Sequence, residues 1–321
     1  MVFSSIAASL LIFGTTVAPV ELRRLFTKGE KAQYKIHSVM NSEVRWGDLE
    51  TWIPQDLDLI YKFNYEVKEI KADGICVMRY LRPVMTQIDG ETFDTPTKTT
   101  NEKLNLDFEL TVSPVNEVID MKDLSKKPEK KPPLLRSMTA MGKPQLQSFV
   151  GQFIGEIHRL ALYVGALDAS LDFSPPLPIL EVSPGDSWKK TVGFSPQKLK
   201  GRGDKFAVQR LDFTYIYKGI VESKGIKVHR IEGSLSLNSD LAAFIHQLFE
   251  VKSDVTGLKE IPMQMSSKIE FDLDVKTCVT LRARATTTGG FRVVATSTPE
   301  KALEEEKFSA RSSLDLLGLK R

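Results

Sequence analysis

The sequence predicts a mainly β protein of the α+β class, in which two antiparallel β halves are joined by a Lys- and Pro-rich loop and one long amphipathic helix. Three observations predict this class: short runs of alternating apolar and polar residues, a Lys- and Pro-rich stretch near the middle, and one segment with helical periodicity. The hydrophobic content of 41% and the charged content of 26% exclude a disordered chain and a multi-span membrane protein. The net charge of +3 is too small to indicate a polyanion, and no nucleic-acid partner is expected.

Residues 1–20 carry no charged side chain and contain the apolar run 6–13. Small residues follow this run, which is typical of a signal peptide, and the mature chain would then start close to Pro19. The Lys or Arg that usually precedes such a run is missing, so an uncleaved anchor and a buried first strand stay open as alternatives. We expect an extracytoplasmic protein, located in the periplasm, in the cell envelope or outside the cell, that meets a membrane only through an uncleaved N-terminal segment.

Strand patterns fill most of residues 21–298, which we interpret as a single β-rich domain with halves at 21–123 and 177–298. Alternating apolar and polar residues begin at 34–40, and this period of two is typical of a half-buried strand. Similar runs predict strands at 59–67, 75–81, 104–112, 208–217, 226–237, 269–285 and 291–296.

Two of these runs form hairpins that resemble each other. Phe63-Asn64-Tyr65 leads through a glycine turn at Gly74 into a second strand, and Tyr215-Ile216-Tyr217 does the same through Gly225. Glycine takes the positive φ of such turns at little cost. The two halves are either related pseudo-repeats or alike by coincidence.

Between the halves, residues 124–144 are rich in Lys and Pro, a composition that neither propagates a helix nor pairs centrally in a sheet, so they form the predicted linker. Residues 145–168 then repeat apolar side chains at helical spacing over about five turns. This long helix is expected to cover the apolar face of a sheet. A shorter helix is expected at 239–249. Residues 299–321 are expected to be a charged tail, either a loose helix or disordered.

The sequence contains no recognisable catalytic, cofactor or metal motif. Its four histidines lack a second His or Cys at metal-ligand spacing, and a nucleophile elbow, a phosphate-binding glycine loop and a dinucleotide fingerprint are all missing. We therefore predict no catalytic residue, no metal and no cofactor, and an enzyme is the less favoured class. Cys76 and Cys278 both fall in strand patterns and would form a disulfide in an oxidising compartment, or stay two separate buried thiols.

An apolar pocket is predicted where the long helix crosses the sheet, because a helix over a curved sheet is a common place for such a cavity. The helix would contribute the apolar stripe and the sheet two aromatic residues: Phe149, Phe153, Ile157 and Leu160 from the helix, with Phe63 and Tyr65 from the sheet. The alternative is that these side chains meet in a filled core.

A turn is predicted at Pro184, Gly185, Asp186 and Trp188, in the sequence Pro-Gly-Asp-Ser-Trp. Proline fixes the first turn position, glycine supplies positive φ, the aspartate caps backbone amides and the tryptophan anchors the next strand. This turn needs no catalytic explanation.

This turn, the Asp73-Gly74 hairpin and the sequence Lys-Gly-Glu-Lys-Ala-Gln-Tyr at 28–34 resemble an exported bacterial family of unknown function. Members open with a Lys-Gly-x-x-Tyr strand and carry a Gly-Asp-Ser-Trp turn before the second β half. The resemblance covers roughly residues 22–297, with two extra residues before Tyr34. It implies export and a β-rich fold, and it carries no activity.

Three functions stay open on this basis. The favoured one is a non-catalytic exported or cell-envelope protein, a binding or structural module whose partner is an envelope component or a small molecule. The second is a carrier of an apolar ligand between sheet and helix. The third is a hydrolase whose site is assembled from distant residues.

Overall fold

The computed structural model describes residues 18–47, 49–88, 91–92, 106–124, 174–194, 209–242 and 257–321. The predicted linker from residue 125 onward and the predicted long helix at 145–168 lie outside the described residues. The apolar run 6–13 and most of the predicted short helix at 239–249 lie outside them as well. Within the described part of the chain, no helix is long and apolar enough to cross a membrane.

Thirteen strands of the described residues form one antiparallel sheet, which confirms the prediction of a mainly β, antiparallel fold. The strands are β1 Lys31–Trp46, β2 Ile53–Ile70, β3 Cys76–Ile88, β4 Glu91–Thr92, β5 Leu106–Val112, β6 Val118–Asp123, β7 Ser187–Phe194, β8 Gln209–Ser223, β9 Ile226–Asp240, β10 Leu258–Glu260, β11 Pro262–Asp274, β12 Thr280–Ala295 and β13 Ala302–Lys320.

The strand order is β6-β5-β3-β2-β1-β13-β12-β11-β9-β8-β7, with the short β4 and β10 on β3 and β12. Each half is therefore a meander, because sequence neighbours pair with each other. The two similar hairpins of the sequence are β2–β3 and β8–β9, the second and third strands of each meander. Whether the halves are related repeats stays a prediction.

The C-terminal segment was predicted wrongly as a loose helix or disordered tail. It forms β13, which pairs with β1 on one side and β12 on the other and so joins the two meanders at the centre of the sheet. Its inward positions are Phe308, Ala310, Ser312 and Leu314, which are buried. Two of these four side chains are small, and charged residues surround them in sequence, so the period of two is weak.

One face of the sheet is buried and carries the core, while the other face is largely polar. In β1 the alternate residues from Ala32 to Val44 are buried, and the residues between them are exposed or half-buried. Aromatic rings fill the centre of the first half, where Tyr34 stacks on Phe63 at 5.0 Å between ring centroids and Phe63 contacts Tyr80 at 5.2 Å. The alternation that predicts these strands is thus the alternation between core and solvent.

The sheet coils strongly. Its two edge strands, β6 and β7, lie at opposite ends of the strand order, yet the Lys190 amine in β7 donates to the Glu117 carboxylate just before β6. Segment 174–178 connects the same region, because the Trp188 indole donates to the Pro176 carbonyl at 2.9 Å and Asn116 donates to the Pro175 carbonyl at 3.0 Å. One end of the sheet is therefore drawn together around these contacts, and we call it the Arg24 end after the buried arginine described below.

Candidate functional site

A groove of about 880 Å³ lies at the other end of the sheet, which we call the Trp52 end. It crosses β9, β11, β12 and β13, with Trp52, just before β2, on its rim. Its volume falls within the roughly 300–1,000 Å³ typical of small-molecule sites. The groove is lined mainly by residues of the solvent face: Ser236, Asn238, Gln264, Ser266, Thr288, Arg292, Glu305 and Lys307.

Strand register arranges the floor of this groove in two polar rows. Ser266 pairs with Ser236 on one side and Thr288 on the other, so three hydroxyl groups lie side by side. In the next row Gln264 lies between Asn238 and Gly290. Because cross-strand neighbours on one face lie about 5 Å apart, each row presents closely spaced hydrogen-bonding groups.

Gly289 and Gly290 let the neighbouring strands approach closely, Gly289 on the buried face beside Phe308 and Gly290 in the floor row of Gln264. A Cβ atom at Gly289 would lie 2.6 Å from both the Gln264 carbonyl oxygen and the Phe308 ring, and one at Gly290 would lie 2.5 Å from the Glu306 carbonyl oxygen. Contacts this short require the backbone to move, so only glycine fits. A glycine pair inside a strand commonly marks such a close approach.

Charged side chains on the rim contact the Trp52 ring and each other. The Arg45 guanidinium lies 4.8 Å from the centroid of the Trp52 ring, and the Lys307 amine lies 4.3 Å from it. Arg45 also forms an ion pair with Glu305. On the opposite rim Arg292 donates to the Glu260 carboxylate at 3.1 Å. The rim therefore combines an aromatic ring with cations of fixed position.

Two carboxylates of β13 lie on the buried side of the groove wall. Glu306 is 2% exposed, and burial together with the charge of Glu304 raises its pKa to about 8, although a hydrogen bond with Ser42 acts in the opposite direction. Burial also raises the pKa of Glu304 above its usual value, against the effect of a hydrogen bond with Trp46. Glu306 is therefore largely neutral near pH 7 and can donate as well as accept a hydrogen bond.

A second polar cluster lies at the Arg24 end, where it joins the segment before β1 to the C-terminal Arg321. Buried Glu30 accepts hydrogen bonds from Arg24, from the Tyr65 hydroxyl at 2.8 Å and from Arg321 at 3.2 Å. Arg321 also donates to the Thr277 hydroxyl at 3.0 Å. This cluster links the segment before β1, strand β2, the β11–β12 turn and the C-terminus, which is a structural role.

The predicted apolar pocket is described only in part. Phe63 and Tyr65 are buried in the first half of the sheet. Tyr65 lines a cavity of about 30 Å³, room for a single water molecule, and also an open groove of about 420 Å³ that it shares with polar residues such as Asn64 and Arg79. The predicted helical residues lie outside the described residues: Phe149, Phe153, Ile157 and Leu160. The structure thus brings Phe63 and Tyr65 into a filled aromatic cluster, and the pocket as a whole stays a prediction.

The predicted turn residues occupy a tight turn before β7. Gly185 has a φ of +100°, and its amide donates to the Tyr217 carbonyl at 2.7 Å. The Asp186 carboxylate accepts a hydrogen bond from the Ser183 amide at 2.7 Å. The ring of Pro184 lies against Gly219, and Trp188 stacks on Tyr215 at 5.8 Å. Every contact of this turn is structural.

Of the two alternatives for Cys76 and Cys278, the structure has the separate thiols: both cysteines are free and buried. Burial raises the pKa of Cys76 to about 12 and that of Cys278 to about 11. Cys76 begins β3, whereas Cys278 lies in the β11–β12 turn with a φ of +51°. The thiols are protonated and little reactive at neutral pH.

The structure describes two histidines, His37 and His229. Their side-chain partners are Asp58 and Tyr217, so neither is hydrogen-bonded to a Ser or Cys nucleophile in these contacts. His37 lies 2.8 Å from the Asp58 carboxylate on the solvent face. His229 bonds through Nδ1 to the Tyr217 hydroxyl at 2.8 Å, and burial lowers its pKa. Within the described ranges no group of three or more His, Cys, Asp or Glu side chains is arranged to hold a metal ion.

The groove residues were not singled out from the sequence. Gln264, Ser266, Thr288 and their neighbours are ordinary residues for a solvated strand face, and only the register of four strands places them together. The Gly289-Gly290 pair within a strand pattern was the available signal, since it indicates close approach of another segment.

Comparison with known proteins gives weak likenesses. No family model matches the sequence, and no curated protein matches it. A solved structure on lipid–protein interactions in lipovitellin aligns with 92% of this chain at 10% identity and a TM-score of 0.38, and the chain spans about a quarter (26%) of that protein's length. A DUF1329 family protein from Desulfovibrio piger aligns with 90% of this chain and 85% of its own, at 8% identity and a TM-score of 0.14. No conclusion rests on either likeness.

Proposed function

We propose that the protein is a non-catalytic binding module, acting outside the cytoplasm, that holds a polyhydroxylated ligand such as an oligosaccharide in the groove at the Trp52 end. The observation that carries this proposal is the groove of about 880 Å³ across four strands, with a floor of polar side chains and two glycines.

The ligand class follows from the groups on the floor and rim. Three neighbouring hydroxyls and the amides of Asn238 and Gln264 both donate and accept hydrogen bonds, as sugar hydroxyls do. Arg292 and Lys307 add charged donors, whose hydrogen bonds are the stronger ones. A purely apolar ligand would leave these groups without water and without partners, which is unfavourable.

A binding role fits better than catalysis because the reactive groups of the described residues are engaged elsewhere. His37 and His229 are bonded to Asp58 and Tyr217, and the free cysteines are buried. Glu306 contributes a neutral hydrogen-bonding group beneath the groove. The hydrolase alternative would need a nucleophile activated by an adjacent base, and neither His37 nor His229 lines the groove.

The extracytoplasmic location is supported by the charge-free residues 1–20 and by the resemblance to an exported family. Fractionation with terminal sequencing tests this part. A chain that starts near Pro19 outside the cytoplasm supports it, whereas an intact Met1 terminus in the cytoplasm contradicts it.

The carrier of an apolar ligand stays the second candidate. Its predicted pocket rests on four residues outside the described ranges. Of the described half, Tyr65 lines a cavity of about 30 Å³ and an open groove of about 420 Å³, and Phe63 lines neither. Native mass spectrometry of the purified chain tests it, because co-purified lipid would support a carrier.

The groove itself is tested by probing an array of plant, chitin and peptidoglycan oligosaccharides with labelled full-length chain. We expect binding that is lost in a Gln264→Ala, Lys307→Ala double variant. Lys268→Ala is the matched control, since Lys268 is exposed on β11 but outside the groove. The proposal fails if the array shows no binding, or if the double variant binds as well as the control.

A further inference from the structure

The open groove of about 420 Å³ at the Arg24 end crosses β13, β1, β2 and β3, and we call it the Lys31 groove. It lies on the solvent face of the sheet, because Lys31 and Gln33 are exposed whereas Ala32 between them is buried. On β13 it begins at Gly318, eleven residues beyond Lys307 of the first groove, which is roughly 35 Å along a strand. The sheet therefore has two separate grooves, and the volume of each is in the range typical of small-molecule sites.

A row of amide side chains forms the floor of the Lys31 groove. Strand register places Gln33 between Asn64 on β2 and Gly318 on β13. No atom lies within 4 Å of the position that a Cβ atom of Gly318 would take, so the row ends in open space. The amides of Gln33 and Asn64 can each donate hydrogen bonds to a ligand that occupies this space.

Lysine side chains of like charge lie opposite each other on both sides of the amide row. Two residues before Gln33, Lys31 lies opposite Lys320, and two residues after it, Lys35 lies opposite Lys62. Like charges directly opposite each other on neighbouring strands destabilise a sheet. An anion between the two pairs would relieve this repulsion.

The carboxylate in the groove offsets only part of this positive charge. Glu66 is the one carboxylate among the described residues that line the groove, and it pairs with Lys31 at 3.4 Å and with Lys68 at 2.7 Å. The Arg79 guanidinium, which also lines the groove, is held by two hydrogen bonds to Asp107 at 2.9 and 2.7 Å. The cations of the lining residues thus outnumber the carboxylate.

Three of the lysine amines are not engaged by carboxylates of the described residues. Asp315, which lies opposite Lys35, pairs with Arg284 at 3.0 Å. Within the described ranges no carboxylate forms an ion pair with Lys35, Lys62 or Lys320. Residues two positions apart on a strand lie about 7 Å apart, so these long side chains can reach a ligand over the amide row.

We propose that the Lys31 groove binds a phosphate-bearing ligand, with the amides of Gln33 and Asn64 and the surrounding amines as hydrogen-bond donors. A phosphate group carries close to two negative charges at neutral pH and three acceptor oxygens, so it can contact several of these donors at once. Lysine binds phosphate in many proteins as a point charge. The site is separate from the groove at the Trp52 end, and the inference holds whatever that groove binds.

Isothermal titration of the full-length chain with inorganic pyrophosphate, in a buffer without divalent metal ions, tests the site. Two variants change the groove in different ways. The Lys31→Gln, Lys320→Gln double variant removes one pair of charges, and Gly318→Phe fills the open space without changing the charge. The matched control is the Lys227→Gln, Lys268→Gln double variant, which removes the same charge from exposed strand positions outside the groove.

We expect one saturable site whose affinity for pyrophosphate falls at least about tenfold in each groove variant. The control should stay within about twofold of the wild type, because distant exposed charges are screened by salt. The proposal is overturned if pyrophosphate does not bind. It is also overturned if the control loses as much affinity as the lysine variant, or if Gly318→Phe binds like the wild type, since either result would indicate a general charge effect.

Flotation with phosphatidylcholine vesicles that contain phosphatidic acid distinguishes two sources of the phosphate group. Flotation of the wild type that both groove variants abolish would assign a lipid headgroup to the site. Pyrophosphate binding without flotation would assign a soluble phosphorylated compound.

Discussion

Replacing Glu306 by Gln should stabilise the protein at alkaline pH. The folded state holds the Glu306 proton up to about pH 8, whereas the unfolded chain releases it near the ordinary value of 4.5. Between these values the folded state binds more protons, so its stability falls as pH rises. Since one pKa unit corresponds to about 1.4 kcal/mol, ionisation of Glu306 costs the folded state roughly 4–5 kcal/mol above pH 8.

Urea unfolding of wild type and Glu306→Gln, at about pH 5 and about pH 9, measures this cost because the variant has no group to titrate at this position. We expect similar stability at the lower pH and a more stable variant at the higher pH. Glu305→Gln is the control, because Glu305 points to the other face and pairs with Arg45, so its effect should be below about 1 kcal/mol. An equal difference between wild type and Glu306→Gln at both pH values would refute the reasoning.

Two further predictions concern the two ends of the sheet. Glu30→Gln should lower the free energy of unfolding by about 3–5 kcal/mol, because it leaves the buried charge of Arg24 without its counter-ion. The control Glu21→Gln, at an exposed ion pair, should lower it by less than about 1 kcal/mol in the same chemical unfolding experiment. Equal losses would contradict the structural role of the cluster. Gly289→Ala should lower the free energy of unfolding by about 1–3 kcal/mol, because the added Cβ would lie 2.6 Å from the Gln264 carbonyl oxygen. Gly318→Ala is the control, since it has open space around it, and should change stability by no more than about 0.5 kcal/mol. If Gly289→Ala had no effect, β11 and β12 would not be in close contact there.

Strands with a strong apolar period were predictable from the sequence. In β1 the inward residues include Tyr34, Ile36 and Met40, and the polar residues between them make the alternation plain. The β2–β3 and β8–β9 hairpins were found for the same reason, together with their glycine turns. Local sequence carries this information because each strand has one buried and one solvated face.

Strand β13 was missed because its inward face combines Phe308 and Leu314 with Ala310, Ser312 and the carboxylate of Glu306. These residues are typical of a solvated segment unless neighbouring strands bury them. The pairing of β13 with β1 joins residues almost 300 positions apart, such as Lys31 and Lys320. A contact between residues so distant in sequence cannot be predicted from local sequence patterns.

The groove was not predictable for a related reason. Its polar rows come from four strands whose exposed faces look alike one at a time, and only the register of Gln264 with Gly290 and Asn238 assembles them. The buried state of Glu306, in a run of three glutamates, is equally a property of the assembled sheet.

Hydrogen–deuterium exchange of the full-length chain, with and without a mixture of cellulose- and chitin-derived oligosaccharides, tests the central claim most directly. If an oligosaccharide binds in the groove, exchange should slow in the segments that line it, which are 236–238, 262–266 and 288–292, and should change little at the Arg24 end. Protection confined to the Arg24 end, or no protection anywhere at saturating oligosaccharide, would contradict it.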